Sequence, residues 1–285
     1  LRTFPCRDIF CRKTNNKVDS SDPIATRGVE MSAITASKQF VKRILPKSLL
    51  GTLGYWLNRG TTTYSQFGED IWLNRLLDGK QGFYVDIGSF HPKFASNTYR
   101  LHRRGWRGIN IDVDQYKIRM FDRFRKRDTN LTMGVSSQTT TLPFYFKPGH
   151  TYGSESSFNR DLIEQRSGAA DTELGVRQVP VTTLNEILSR HLPVQSDGSS
   201  VPIDLINIDV EGHEHEILAN FDFNRYRPRC LCIEIHAESL DELQANETLQ
   251  LIASKGYRLH AWPAPSCIFM RSDVVAAARS EAQAA

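Results

Sequence analysis

The sequence predicts an α/β domain. It should contain a mostly parallel seven-stranded sheet with an antiparallel C-terminal hairpin and helices on both faces. Three observations carry this. Short apolar runs alternate with helical stretches from Gly60 onward, the rhythm of strand-helix-strand crossovers. The runs Phe83–Ile87 and Asp204–Asp209 have strand length and little polarity. Near the C-terminus, Tyr257–Trp262 and Ile268–Arg271 are joined by a Pro-Ala-Pro-Ser turn, which reads as a hairpin.

In chain order, Ser65–Leu77 reads as a helix entered through polar residues, followed by strand 83–87 and a helix over 94–104. A second strand over 108–112 precedes a helix over 115–126, with Asp114 placed as its N-cap. Leu131–Val135 is a third strand and Leu142–Phe146 a short extra one. Residues 148–177 are polar and Gly-rich, with one weak helix near Asp161–Gln165; so long a stretch inside a domain is commonly functional. Helices follow over 183–191, 213–220 and 240–255, interleaved with strands 204–209 and 229–235.

The chain has 285 residues, 40% hydrophobic and 24% charged, which suits one α/β domain with an N-terminal extension. Residues 1–31 read as a disordered leader, 32–63 as an amphipathic helical extension, 64–275 as the catalytic domain and 276–285 as a tail. The extension would dock on the protein's own core or rest on a membrane surface. The net charge is +4, with basic runs at Arg100–Arg104 and Arg119–Arg127 that read as solvated helix faces. No basic and aromatic interleaving suggests a nucleic-acid partner.

Five cysteines make no disulfide framework. Cys230 and Cys232 share one strand face as core residues, and Cys6 and Cys11 lack partners at zinc-ligand spacing. A reducing, cytoplasmic compartment is expected. No apolar run reaches the roughly 20 residues of a bilayer span, and no secretory signal order is present.

Open α/β sheets bind ligands beyond the carboxyl ends of their strands. The first strand ends in the turn Asp86-Ile87-Gly88-Ser89, where Gly88 permits close backbone approach and Asp86 suits the ammonium of an amino-acid-bearing cofactor. The turn lacks the further glycines of a dinucleotide cradle, which disfavours a nicotinamide oxidoreductase. A cofactor-binding protein without catalytic activity stays open. Asp112 ends the second strand about 26 residues after Asp86, where a carboxylate accepts from ribose hydroxyls. The fourth strand runs into Asp209-Val-Glu-Gly-His-Glu-His215, and the fifth into Glu234 and His236. Asp209, His236 and His213 are candidate general bases; alternatively, Asp209 and Glu234 hold a divalent cation such as Mg²⁺. Glu211 and Glu214 read equally as helix-dipole residues. His213 and His215, two apart, cannot face one site from a regular helix.

These residues resemble the FkbM-type methyltransferases of the S-adenosylmethionine-dependent class I fold, which is Rossmann-like. The resemblance runs through Ser65–Asp70, Phe83–Gly88, Asn97-Thr98, Gly105–Ile109 and Asp112. It continues through Gly134-Val135-Ser136, Val179–Leu184 and Ile208–Glu214, and so covers residues 64–271. The end of the second strand departs from the family in reading Ile-Asp-Val-Asp, where a Glu-Pro pair is commoner. The resemblance implies S-adenosylmethionine as cofactor, with Asp86, Gly88 and Ser89 lining its amino-acid end and Asp112 its ribose. Val135 and Ser136 would lie near the adenine, and Gln66 and Asn97 on the methionine side. The expected reaction is O-methylation of a hydroxyl on a small molecule, a glycan or a glycolipid, by in-line displacement.

Overall fold

The computed structural model describes residues 62–77, 81–147, 156–167 and 174–277. The expected leader with Cys6 and Cys11, nearly all of the helical extension with its expected membrane contact, much of 148–177 and most of the tail lie outside the described residues.

Helix α1 (Glu69–Leu76) precedes β1 (Phe83–Ile87), α2 (Tyr99–Arg103), β2 (Arg107–Asp112), α3 (Gln115–Phe124) and β3 (Thr129–Thr132). Next come β4 (Gly134–Ser136), β5 (Thr140–Phe146), β6 (Ser156–Ser157), α4 (Arg160–Ser167) and β7 (Gly175–Thr183). The chain continues through α5 (Leu184–His191), β8 (Leu205–Ile208), α6 (Glu214–Ala219), α7 (Phe223–Tyr226) and β9 (Cys230–Glu234). It closes with α8 (Leu240–Ala245), α9 (Glu247–Ser254), β10 (Tyr257–Ala261) and β11 (Ser266–Arg271).

Seven strands form one sheet in the order β10-β11-β9-β8-β1-β2-β3. Every pairing is parallel except the two made by β11. The C-terminal hairpin forms one end of the sheet, as expected, with β11 paired to β9 and β10 outermost. Both faces are covered, and each strand divides its side chains between them. Val85, Ile87, Ile206, Ile208, Leu231 and Ile233 pack with α5 and α6 residues on one face. Tyr84, Leu205, Cys230 and Cys232 pack with Leu73, Leu101 and Trp106 on the other. Apolar runs without alternation therefore follow from two-sided burial.

A second sheet, β4-β7-β5-β6, carries the remaining strands. The expected third strand is split at Met133, whose N–H bonds the Asp112 carbonyl before β4 leaves to pair with β7. Strand β7 occupies sequence expected to be loop at its start. Pro180 and an exposed polar face hide it, because a proline argues against a central strand. The helix expected over 240–255 breaks at Asn246, whose side chain accepts from Thr248 N and Leu249 N and starts α9. Asp114 caps α3 as expected, accepting from Tyr116 N. No described helix is long and apolar enough to cross a membrane.

Candidate active site

The strand order changes direction between β1 and β8, and such a switch point opens a ligand crevice at the strands' carboxyl ends. Gly88 stands there with φ +79°; a Cβ on it would lie 1.7 Å from the Asp209 carbonyl oxygen. The absence of a Cβ at Gly88 therefore lets the chain's own backbone approach closely. Gly88 N and Ser89 N both donate to the Ile111 carbonyl, and Asp209 N donates to that of Ile87. The three strand tips are therefore held as one piece.

At the tip of β2, Asp112 is buried. Its Oδ1 accepts from Asp114 N at 2.7 Å, and its Oδ2 lies 3.4 Å from Lys117 Nζ. Burial raises its pKa, and Lys117 opposes the rise. The Lys117 ammonium also sits 4.8 Å from the centre of the Phe90 ring, beside the Gly88 turn.

Asp86 points into the sheet's other polar layer. Thr98 Oγ1 and Asn207 Nδ2 donate to its two oxygens at 2.5 and 2.9 Å. Burial raises its pKa, with the Arg125 guanidinium pulling the other way. Asn97 joins this layer by donating to Asn207 Oδ1 at 2.9 Å. Ser89 is buried, with its hydroxyl on the Ile111 carbonyl, whereas Gln66 is exposed.

The tips of β8 and β9 carry the acids. Burial and the adjoining Glu234 hold the Asp209 carboxyl well above the usual range. Glu211, Glu234 and His236 present ligand atoms all within 4.8 Å of one another. His236 Nε2 lies 3.3 Å from Glu234 Oε1. Of the two expected metal ligands, Glu234 belongs to this trio and Asp209 is its neighbour. Glu214 instead closes the turn, its Oε1 accepting from Val210 N and Gly212 N. Ser157 of the second sheet donates to the Glu211 carbonyl at 2.6 Å, so the turn is braced from both sheets.

Ser136 and His213 come together, Oγ to Nε2 at 2.9 Å, with the Phe158 ring 5.3 Å from the imidazole. Burial lowers the His213 pKa, which favours the neutral ring. His215 turns instead toward Thr248 of α9, as two-residue helical spacing requires. Val135 is buried in the core beside them.

Thr98, Asn110, Lys117, Arg125 and Asn207 had no separate role in the sequence-based expectations. Two signals were present: an asparagine inside each of two apolar strands is costly to bury without partners. The basic run 119–127, expected to be solvated, contains the fully buried Arg125.

This strand order, with one reversed strand beside the edge and acids at successive tips, defines a Rossmann-like class I methyltransferase, which uses S-adenosylmethionine. The chain belongs to the FkbM methyltransferase family: the methyltransferase FkbM domain matches residues 86–259. A search of curated proteins found no match. Among solved structures, it is similar to a TehB-like SAM-dependent methyltransferase from Corynebacterium glutamicum, with 11% identity and a TM-score of 0.37, over 79% of this chain and 97% of that one. It is also similar to the 1,6-didemethyltoxoflavin-N1-methyltransferase of Burkholderia thailandensis, with 10% identity and a TM-score of 0.36, over 89% and 93% of the two chains. A putative O-methyltransferase from Klebsiella pneumoniae follows at 10% identity and a TM-score of 0.30, over 82% and 94%.

Proposed function

We propose that the chain methylates a hydroxyl of a sugar, glycolipid or natural product. The observation that supports this best is the Asp209–Glu234 pair, which stands at the strand tips directly beside the Gly88 turn. When bound, S-adenosylmethionine supplies an electrophilic methyl group. The chain's own residues do the rest. Asp112 accepts from the ribose hydroxyls and the Gly88 turn receives the amino-acid end, while Ser136 and Val135 border the adenine. An acceptor hydroxyl is a weak nucleophile until it gives up its proton, and Asp209, once ionised, takes that proton. His236 and His213 are the alternative acceptors. Alignment in a water-poor crevice supplies much of the remaining acceleration.

A second reading is favoured by the spacing of Glu211, Glu234 and His236: a divalent cation such as Mg²⁺ held there acidifies the hydroxyl. Exhaustive chelation separates the two. Turnover survives it if carboxylates alone act, and is lost and then restored by Mg²⁺ if the trio holds an ion.

A screen of labelled methyl transfer onto glycans, glycolipids and small hydroxylated molecules tests the acceptor class. Label that appears only on nitrogen or carbon overturns it. For the ribose contact, Asp112→Ala should weaken S-adenosylhomocysteine binding by roughly 10- to 100-fold, the range for lost hydrogen bonds to a charged group. Unchanged affinity on calorimetry would remove Asp112 from the donor site.

A further inference from the structure

Asn110, Asp86, Asn207 and Cys232 are register partners across β2, β1, β8 and β9, one row in from the ligand edge. This makes a polar layer inside the sheet's covered face, and at its centre lies Arg125, with no solvent exposure. A buried guanidinium is costly unless its donors are satisfied. Here Nε donates to the Pro92 carbonyl at 2.9 Å and Nη2 to Ser96 Oγ at 2.8 Å. Nη1 reaches Thr98 Oγ1 at 2.8 Å, Tyr84 Oη at 3.1 Å and Asn110 Oδ1 at 3.3 Å. The Phe121 ring lies 5.0 Å from the guanidinium carbon.

Three of those partners, Pro92, Ser96 and Thr98, belong to the segment that leaves the donor turn and leads to α2. The sheet does not need Arg125 to pair, because β1 and β2 are joined by their own ladder. Helix α3 also has its own buried anchors, Ile118 and Phe121. The segment's ends are tied down by Ser89 to Ile111 and by Ser96, Asn97 and Thr98 to Tyr64, Asn207 and Asp86, but its middle does need Arg125. Between Phe90 and Ala95 the other hydrogen bonds among the described residues are local, from Lys93 N and Phe94 N to His91 Nδ1. Arg125 ties this stretch to the two central strands and, through Thr98, to Asp86.

We infer that Arg125 is the positioning residue of the donor site: it fixes residues 89–98 in the shape that receives the amino-acid end of S-adenosylmethionine. This rests on the donor crevice assigned above. A planar fork with five donors fills the role better than an ammonium, whose three donors cannot meet five acceptors. A segment held in its binding shape loses less freedom when ligand arrives, so the effect is on affinity.

Calorimetric titration with S-adenosylhomocysteine and hydrogen exchange of the ligand-free full chain test this in four variants. Arg125→Met should weaken binding by about tenfold or more, Arg125→Lys by less, and Ser96→Ala by a few-fold, reflecting lost preorganisation. In each, amides of 89–98 should exchange faster while those of β8 and β9 keep their protection. Ile252→Ala, a cavity at a buried position of α9, should lower the melting temperature and leave affinity unchanged. Unaltered affinity and unaltered exchange of 89–98 in folded Arg125→Met overturn the inference. If Arg125→Met does not fold, the same result in Ser96→Ala overturns it. A wild-type chain that binds no S-adenosylhomocysteine overturns the donor crevice and this role together. Normal wild-type binding with indifferent variants overturns only the role of Arg125.

Discussion

Asp209→Asn should lower turnover by about 10²- to 10⁴-fold, the usual worth of a positioned proton acceptor, while making the folded chain more stable near neutral pH. The two effects share one cause. Burial and Glu234 raise the Asp209 pKa, so the native chain keeps a proton that the unfolded chain releases above about pH 4. Stability from this group is therefore complete in acid and declines as pH rises toward the native pKa. The amide carries no such charge, and it can donate to Glu234. The variant's gain in melting temperature should thus grow as pH rises above about 4 and vanish below it, where both states of the wild type are protonated. Wild-type turnover should climb with pH as Asp209 loses its proton, above the range of an ordinary carboxylate. Full turnover in Asp209→Asn would remove Asp209 from the chemistry, and a fall in stability at pH 8 would contradict the raised pKa of Asp209.

Gly88→Ala should have the largest effect on folding. Its Cβ meets a backbone carbonyl at 1.7 Å, not the end of a flexible side chain, and φ is +79°. Neither partner can yield, because Gly88 N is bonded to Ile111 and Asp209 N to Ile87. A loss of about 4 kcal/mol or more is expected, which is a large share of the ~5–15 kcal/mol of a typical domain. For a domain of this size that corresponds to roughly 10 °C in melting temperature. Gly198→Ala is the control: φ is +83°, but nothing lies within 4 Å. It should cost only the left-handed conformation, about 1–2 kcal/mol. Equal losses for the two glycines in urea unfolding would mean that the approach to Asp209 is not what requires Gly88.

The sheet was legible because two-sided burial writes itself as uninterrupted apolar runs, and strand tips are where such runs meet a carboxylate. Asp86, Asp112, Asp209 and Glu234 could be located in that way. Partnership was not legible. Asp86 reads as a group facing the cofactor, yet its oxygens are taken by Thr98 and Asn207, one of them 121 residues away along the chain. Only register brings Asn207 opposite Asp86. Arg125 was lost in a basic run because helix charge patterning is ordinarily a surface property, and nothing local marks the end of α3 as the filling of a polar layer. The insertion of β11 beside β9 was also hidden, since a hairpin sequence fixes which strands are antiparallel but not which of them meets the sheet.

Calorimetric titration of the full chain with S-adenosylhomocysteine tests the donor crevice most directly, with NAD as the comparison. A crevice at the Gly88 turn with Asp112 at its ribose end predicts saturable micromolar binding of S-adenosylhomocysteine and no heat from NAD. No binding of S-adenosylhomocysteine, or equal binding of NAD, would contradict it.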